Sequence, residues 1–164
     1  MFHQGENSYL KMQRRLIWIY KMDNCIFCEK ENKLLIRKYN HWNLLLNFNQ
    51  YYLGTCIIVL NRHIEDLSEI DKEEREELFE ILKGLRKVII KLFGANLFNY
   101  ASLGNDIRHL HIHFIPRYDH EVIFQNKKFK DERWNKNYSP YPEDFNISPD
   151  IIEKIKQKIG SELY

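Results

Sequence analysis

Apolar residues along this chain change their spacing several times, and each change predicts an element. Between His109 and Arg117 they alternate: Leu110, Ile112 and Phe114 leave one face of an extended segment, and His109, His111 and His113 leave the other. That pattern predicts a strand with one face in a core and one face available for chemistry, stopped by Pro116 with Arg117 at its end. Residues 34–39 and 42–48 read as two further strands, with Asn40 and His41 near the turn between them. Asn49 and Gln50 follow, and a third strand begins beyond Gly54 with the run Cys56-Ile57-Ile58-Val59-Leu60. An antiparallel meander is the economical arrangement of these three.

The spacing then lengthens to three and four residues. Leu78, Leu82, Leu85, Ile89 and Leu92 make one helical stripe. Asp71 is placed to cap this helix and Glu74, three residues on, completes a capping-box pattern. The acids Glu73, Glu74, Glu76 and Glu77 suit the positive end of the helix, and Gly94 stops it after about 20 residues. Residues 96–102 read as a fourth strand, joined to the histidine segment through residues 103–108. From Asp119 to Asn146 the composition turns aromatic and polar, and Pro140 and Pro142 predict irregular coil. Ser148 or Asp150 opens a closing helix through Ile151, Ile152, Ile155 and Ile159. The first 21 residues have no clear period and read as an extension ahead of the domain.

Length and charge narrow the picture. A chain of 164 residues is long enough for one domain with a real core, and no apolar run approaches the roughly 18 residues needed to span a membrane. The formal charge of +2, with basic and acidic residues interleaved, argues against a nucleic-acid partner. The apolar stretch at residues 16–20 is shorter than a signal-peptide core of about 7 to 15 residues, so a cytoplasmic protein is expected.

Three imidazoles on one strand face have three chemical readings: a metal site, a phosphate-binding surface, or covalent catalysis by a histidine held in one tautomer. Strand propensity gives no reason to choose histidine three times, which disfavours a fortuitous run. Three cysteines cannot all pair. Cys25 and Cys28, separated by Ile26 and Phe27, are compatible with a redox pair, half of a zinc site, or two free thiols, and Cys56 in its apolar strand reads as core filling.

Taken together, Cys25-Ile-Phe-Cys28, Asn61-Arg-His63-Ile-Glu-Asp-Leu67, Asn99-Tyr-Ala-Ser-Leu-Gly-Asn105 and His109-Leu-His-Ile-His-Phe-Ile-Pro-Arg117 resemble the histidine-triad (HIT) superfamily of nucleotide hydrolases and transferases. The match spans residues 25–118. The resemblance implies an α+β, HIT-like fold: an antiparallel sheet of about five strands, one long helix packed on it, and here a C-terminal helix. It also implies a two-fold homodimer. The layout is then a 1–21 extension, a HIT domain over 22–118, and a 119–164 tail belonging to the same domain.

For the site, the resemblance implies that His111 attacks the α-phosphorus of a nucleotide, giving a nucleotidyl-imidazole that water resolves with release of a nucleoside monophosphate. His113 would bond a phosphate oxygen, and His109 completes the triad. Asn105 stands where the family often has Gln, Asn99 matches a phosphate-contacting Asn, and Asn47 matches the residue that contacts the ribose hydroxyls. Thr55 stands where many relatives carry a histidine that helps to polarise the nucleophile. Cys25, Cys28, His63 and His109 correspond to a structural zinc set in several relatives; no organic cofactor is implied. With zinc on it, His109 orients the strand and does no acid–base work.

The tail residues 129–138 are similar to those of a diadenosine-tetraphosphate-hydrolase-like branch, and Arg133 and Trp134 would either meet the nucleotide or pack on the sheet. The implied function is a hydrolase of nucleoside phosphate anhydrides or phosphoramidates. Its rivals are a nucleotidyl transferase and a zinc-stabilised nucleotide-binding module with little catalysis.

Overall fold

Alternate positions on three strands are large and apolar, so their common face must be covered: Trp42, Leu44 and Leu46, then Cys56, Ile58 and Leu60, then Ile112 and Phe114 all lie buried in one core. The computed structural model describes residues 25–28, 32–142 and 145–163, so the expected 1–21 extension lies outside the described residues. The strands are β1 (Leu35–Lys38), β2 (Trp42–Leu46), β3 (Cys56–Leu60), β4 (Leu97–Ala101) and β5 (His111–Arg117). They form one sheet in the order β1-β2-β3-β5-β4, every neighbouring pair antiparallel. The first three strands are the expected meander. β3 and β4 run the same way on either side of β5 and therefore need a crossover, which the long helix supplies.

That helix, α1 (Lys72–Phe93), has both halves of the capping box: the Asp71 carboxylate accepts from the Glu74 N–H, and the Glu74 carboxylate accepts from the Asp71 N–H. Gly94 ends it in the left-handed conformation at φ 73°. Its buried stripe is wider than the five expected residues. Leu78, Ile81, Leu85, Val88, Ile89 and Phe93 reach the core, with Leu82 and Leu92 half-buried at its margins. Gly54, at φ 82°, lets the turn before β3 press on the helix, since a Cβ there would stand 2.9 Å from Ile89 Cδ1. The closing helix α2 (Pro149–Glu162) is capped by Ser148, not Asp150, and adds Ile152, Ile155 and Ile159 to the core.

Two expectations are corrected. Pro116 does not stop the ladder: it pairs with Phe98, and Arg117 pairs with Leu97. Even-numbered residues here turn their backbone groups toward β3, as the bond from Leu60 N–H to the Leu110 carbonyl indicates. The missing N–H of Pro116 therefore points past the start of β3, where no ladder bond is lost. Second, residues 119–146 are not coil throughout. β6 (Val122–Phe124) and β7 (Lys127–Phe129) form a hairpin whose turn residues Gln125 and Asn126 both have positive φ, 50° and 61°. Without glycine the turn lacked its usual signature. Phe129 enters the main core, and Phe124 meets Phe93 edge to face at 5.6 Å.

The opposite face of the sheet carries the chemistry. Across it His111 neighbours Val59, and His113 neighbours Ile57. Beyond them Ile115 packs in a small second cluster with Tyr51 and Tyr52, to which the tail adds Tyr138, Tyr141 and Phe145.

Candidate active site and metal centre

The turn at Cys25 is closed by the Cys28 N–H bonding the Cys25 carbonyl at 2.9 Å, which turns both thiols toward one point. His109 meets them from just before β5. Its Nε2 lies 2.7 Å from the Leu60 carbonyl, an acceptor only, so Nε2 carries the proton and Nδ1 keeps its lone pair. That Nδ1 is 3.3 Å from Cys25 Sγ and 3.4 Å from Cys28 Sγ, and His63 Nδ1 is 3.2 Å from Cys28 Sγ. All four ligand atoms lie within 4.8 Å of one another.

A tetrahedral zinc with ordinary Zn–S and Zn–N bonds separates its ligand atoms by about 3.4–3.8 Å, so these donors fit the ion with little adjustment. Two thiolates and two neutral imidazoles would also balance its charge. Burial holds His109 below its ordinary pKa, which keeps it in the neutral, ligating form. Burial, together with the adjacent Cys25 thiol, pushes Cys28 up to about 11. A bound cation relieves that crowding.

His111 is buried, and its Nδ1 lies 2.6 Å from the His109 carbonyl. The carbonyl only accepts, so Nδ1 is the protonated nitrogen and Nε2 presents a lone pair. The His111 ring sits 5.0 Å from the Phe27 ring and 5.0 Å from that of His113. Phe27 belongs to the cysteine turn, so the metal centre also positions a ring against His111.

Burial, and then the neighbouring His111, pulls His113 down to about 4. At neutral pH it therefore holds one N–H and one lone pair. Its folded pKa lies below the unfolded value of about 6.5, so the unfolded chain binds more protons in between. Stability from neutral His113 is fully present above pH 6.5 and is lost as pH falls toward 4. With allowance for partial exposure this amounts to about 1–2 kcal/mol. His113→Gln is expected to flatten the melting temperature over that interval relative to the unmodified chain. A ring resonance of His113 titrating near 6.5 would contradict it.

His113 lines a cavity of about 350 Å³ with Asn47, Asn105, Asp106 and Thr55, walled by Tyr52, Tyr138 and Tyr141. Three of the four expected nucleotide contacts, Asn47, Asn105 and His113, are thus brought together. Asn99 is not among the residues lining this cavity; its side-chain oxygen accepts from Arg117 Nη1 at 2.9 Å. Thr55 is buried and its hydroxyl donates to the Tyr52 carbonyl at 2.6 Å. Arg133 and Trp134 do not line the cavity. The Arg133 guanidinium bonds the carbonyls of Asn137 and Ser139 instead, shaping the tail.

Sequence reasoning missed the tyrosine wall and Asp106, which carry no motif, and gave no role to Phe27, which lies inside the Cys25–Cys28 motif but was read only as the spacer between the thiols. It also missed the partner of Arg117. That guanidinium, 2% exposed, makes two bonds to the Asp131 carboxylate at 2.6 and 3.1 Å and stacks over Tyr52. It further donates to the carbonyls of Arg133 and Lys136, so the tail is latched to the end of β5.

Comparison with known proteins agrees with this geometry. The family model described as HIT domain matches residues 29–120. An uncharacterised HIT-like protein of Methanocaldococcus jannaschii is 30% identical over 112 residues, which cover 60% of this chain and 84% of that protein. The crystal structure of a hypothetical histidine triad nucleotide-binding protein from Sulfolobus tokodaii superimposes with a TM-score of 0.67 at 19% identity, covering 85% of this chain and 91% of that one. A zinc-bound histidine triad family protein from Mycobacterium smegmatis gives 0.59 at 15% identity, covering 86% and 94% respectively.

Proposed function

The chain belongs to the HIT family, and from that premise we propose that it is a nucleotide hydrolase that works through a covalent nucleotidyl-histidine. The observation that carries this reading is the tautomer of His111: with Nδ1–H bonded to the His109 carbonyl, Nε2 is a neutral nucleophile aimed away from the backbone. Its lone pair attacks the α-phosphorus, the Nε2–P bond forms, and the bond to the leaving group breaks with its electron pair. The ring becomes cationic, and the His109 carbonyl at 2.6 Å stabilises the Nδ1–H that then carries that charge. Water attacks the phosphorus next and gives up a proton to solvent, the P–N electron pair returns to Nε2, and a nucleoside monophosphate leaves. His113 donates its single N–H to a phosphate oxygen, Asn105 supplies a second donor, and Asn47 takes the ribose hydroxyls.

The test is to incubate the chain with adenosine phosphoramidates and dinucleoside polyphosphates, quench in alkali, where phosphohistidine survives, and map the adduct by mass spectrometry. A nucleoside-monophosphate adduct on His111 is expected. Product formation without an adduct at His111 would remove the reading.

In the same proposal Cys25, Cys28, His63 and His109 hold a structural zinc, as the donor set and a zinc-bound relative support. The ion would tie the N-terminal turn to β5 and takes no part in bond making. The purified chain is expected to hold one zinc, and Cys28→Ser to lose it with a fall in melting temperature of about 10 °C. Equal melting with and without metal would contradict this.

The outer edge of β4, with Leu97 and Tyr100 half exposed and Phe79 of α1 beside an apolar groove, is the surface we assign to a second copy. Sedimentation equilibrium would then weigh two chains. Cys25, Cys28 and Cys56, none of them in a disulfide among the described residues, suit a reducing compartment, in keeping with a cytoplasmic site. Among the described residues no helix is long and apolar enough to cross a membrane.

A further inference from the structure

Once His111 is phosphorylated its ring carries a positive charge, and that charge arises on a side chain only 6% exposed. Its surroundings are neutral. The His109 carbonyl accepts the Nδ1–H at 2.6 Å, and among the described residues no carboxylate is hydrogen-bonded to the ring. Across the sheet His111 faces Val59. His113, ring to ring at 5.0 Å, is held in its uncharged form by burial.

A further neighbour is Phe27, whose ring centroid lies 5.0 Å from that of His111 with the two planes inclined at 54°. The half-buried Phe27 is fixed from two sides. Its backbone runs between Cys25 and Cys28, whose thiols stand 3.3 and 3.4 Å from His109 Nδ1, and the Cys28 N–H bonds the Cys25 carbonyl at 2.9 Å. Its ring also meets His109 edge to face at 5.8 Å.

We infer that Phe27 is a positioning residue for the nucleophile: it holds the His111 ring in place while neutral and, through its π face, stabilises the imidazolium formed when Nε2 takes the phosphoryl group. The inference rests on His111 as the nucleophile and adds a residue that acts through that ring.

The reason is that the contact changes its nature during the reaction. A phenyl ring offers a neutral imidazole little beyond packing, whereas a cation within about 6 Å of its centroid is drawn to the negative charge of the π face. The Nε2–P bond forms, the bond from phosphorus to the leaving group breaks with its electron pair, and the ring is left with Nδ1–H and a positive charge. An attraction present in the charged state and absent in the resting one lowers the barrier to reaching it. Burial beside Val59 keeps water from weakening that attraction. It disappears again as water attacks the phosphorus and the P–N pair returns to Nε2. Phe27 therefore favours formation of the intermediate and opposes its hydrolysis.

The test replaces Phe27 in the full chain with mono-, di- and trifluorinated phenylalanine, which keep the shape of the ring while progressively withdrawing its π charge. Phe27→Leu and Phe27→Tyr are measured alongside. Single-turnover rates of formation and hydrolysis of the adenylyl adduct on His111 are followed at saturating adenosine 5′-phosphoramidate, with diadenosine tetraphosphate as a second donor of the same group. Saturation removes any change in substrate affinity from the comparison. Formation is expected to slow stepwise with each fluorine, by about tenfold across the series, while hydrolysis of the adduct holds or quickens. Phe27→Tyr, which keeps the π face, should stay within about twofold of the parent, and Phe27→Leu should resemble the trifluorinated ring. A ring that only packs against His111 would leave the fluorinated series flat, and that result overturns the proposal. So does a parallel slowing of both half-reactions along the series. If the unmodified chain forms the adduct and the series is flat, the role of Phe27 alone is wrong; if it forms no adduct from either donor, the nucleophile assignment falls and this inference falls with it.

Discussion

His111→Ala is expected to lower turnover by roughly four orders of magnitude or more, the loss that follows removal of a covalent nucleophile from an otherwise intact site. Nucleotide affinity should change little, because Asn47, Asn105 and His113 line the cavity independently of the His111 ring. The substitution opens a gap beside Phe27 and His113, each 5.0 Å from the lost ring, so a melting curve belongs with the assay. A folded variant with nucleotide affinity and no turnover is the expected combination. Full activity in that variant would end the covalent mechanism. His111→Asn serves as a second variant, since its amide refills part of the gap without offering a nucleophile.

A large effect on stability is expected from Asp131→Ala. Among the described residues Asp131 is the one carboxylate bonded to Arg117; the two side chains are 0% and 2% exposed, and removing Asp131 leaves a buried guanidinium without that counter-charge. Such a loss costs about 3–5 kcal/mol, or on the order of 10 °C in melting temperature for a chain of this size. The remaining acceptors, the Asn99 side chain and the carbonyls of Arg133 and Lys136, are neutral and cannot replace the charge. Because the same latch carries the tail that bears Tyr138 and Tyr141, substrate affinity should fall as well. The double variant Arg117→Met with Asp131→Leu should recover much of the stability, since it removes both charges from the interior. A single variant that melts within about 2 °C of the parent would show that the pair contributes nothing measurable.

Sequence reasoning reached far where local periodicity and pairing coincide. The alternation at Leu110, Ile112 and Phe114 set the inward face of β5, and Asp71, Glu74 and Gly94 marked both ends of α1, because capping is satisfied by atoms only a few residues apart. It faltered where a residue's role depends on what arrives from far along the chain. Pro116 carries the same breaker signal wherever it stands, and only the end of β3 beside it makes the missing N–H harmless. The hairpin at residues 122–129 closes on a Gln-Asn turn whose backbone is held in place by Phe124 and Phe129 packing against the core, so the turn residues alone gave no warning.

By itself, then, the sequence determined the five strands of the main sheet, both helices and the face on which the histidines stand, since each follows from local spacing, and the resemblance to the HIT superfamily pointed to the four donors Cys25, Cys28, His63 and His109. Tertiary structure alone decided that those donors converge within 4.8 Å, that Arg117 is matched to Asp131, and that Tyr52 and the tail tyrosines wall the space beside His113. The physical reason is range. Hydrogen-bonded periodicity and caps act between near neighbours and leave a trace in the local pattern, whereas the sign of the charge in a cavity is a sum over side chains that only packing brings together.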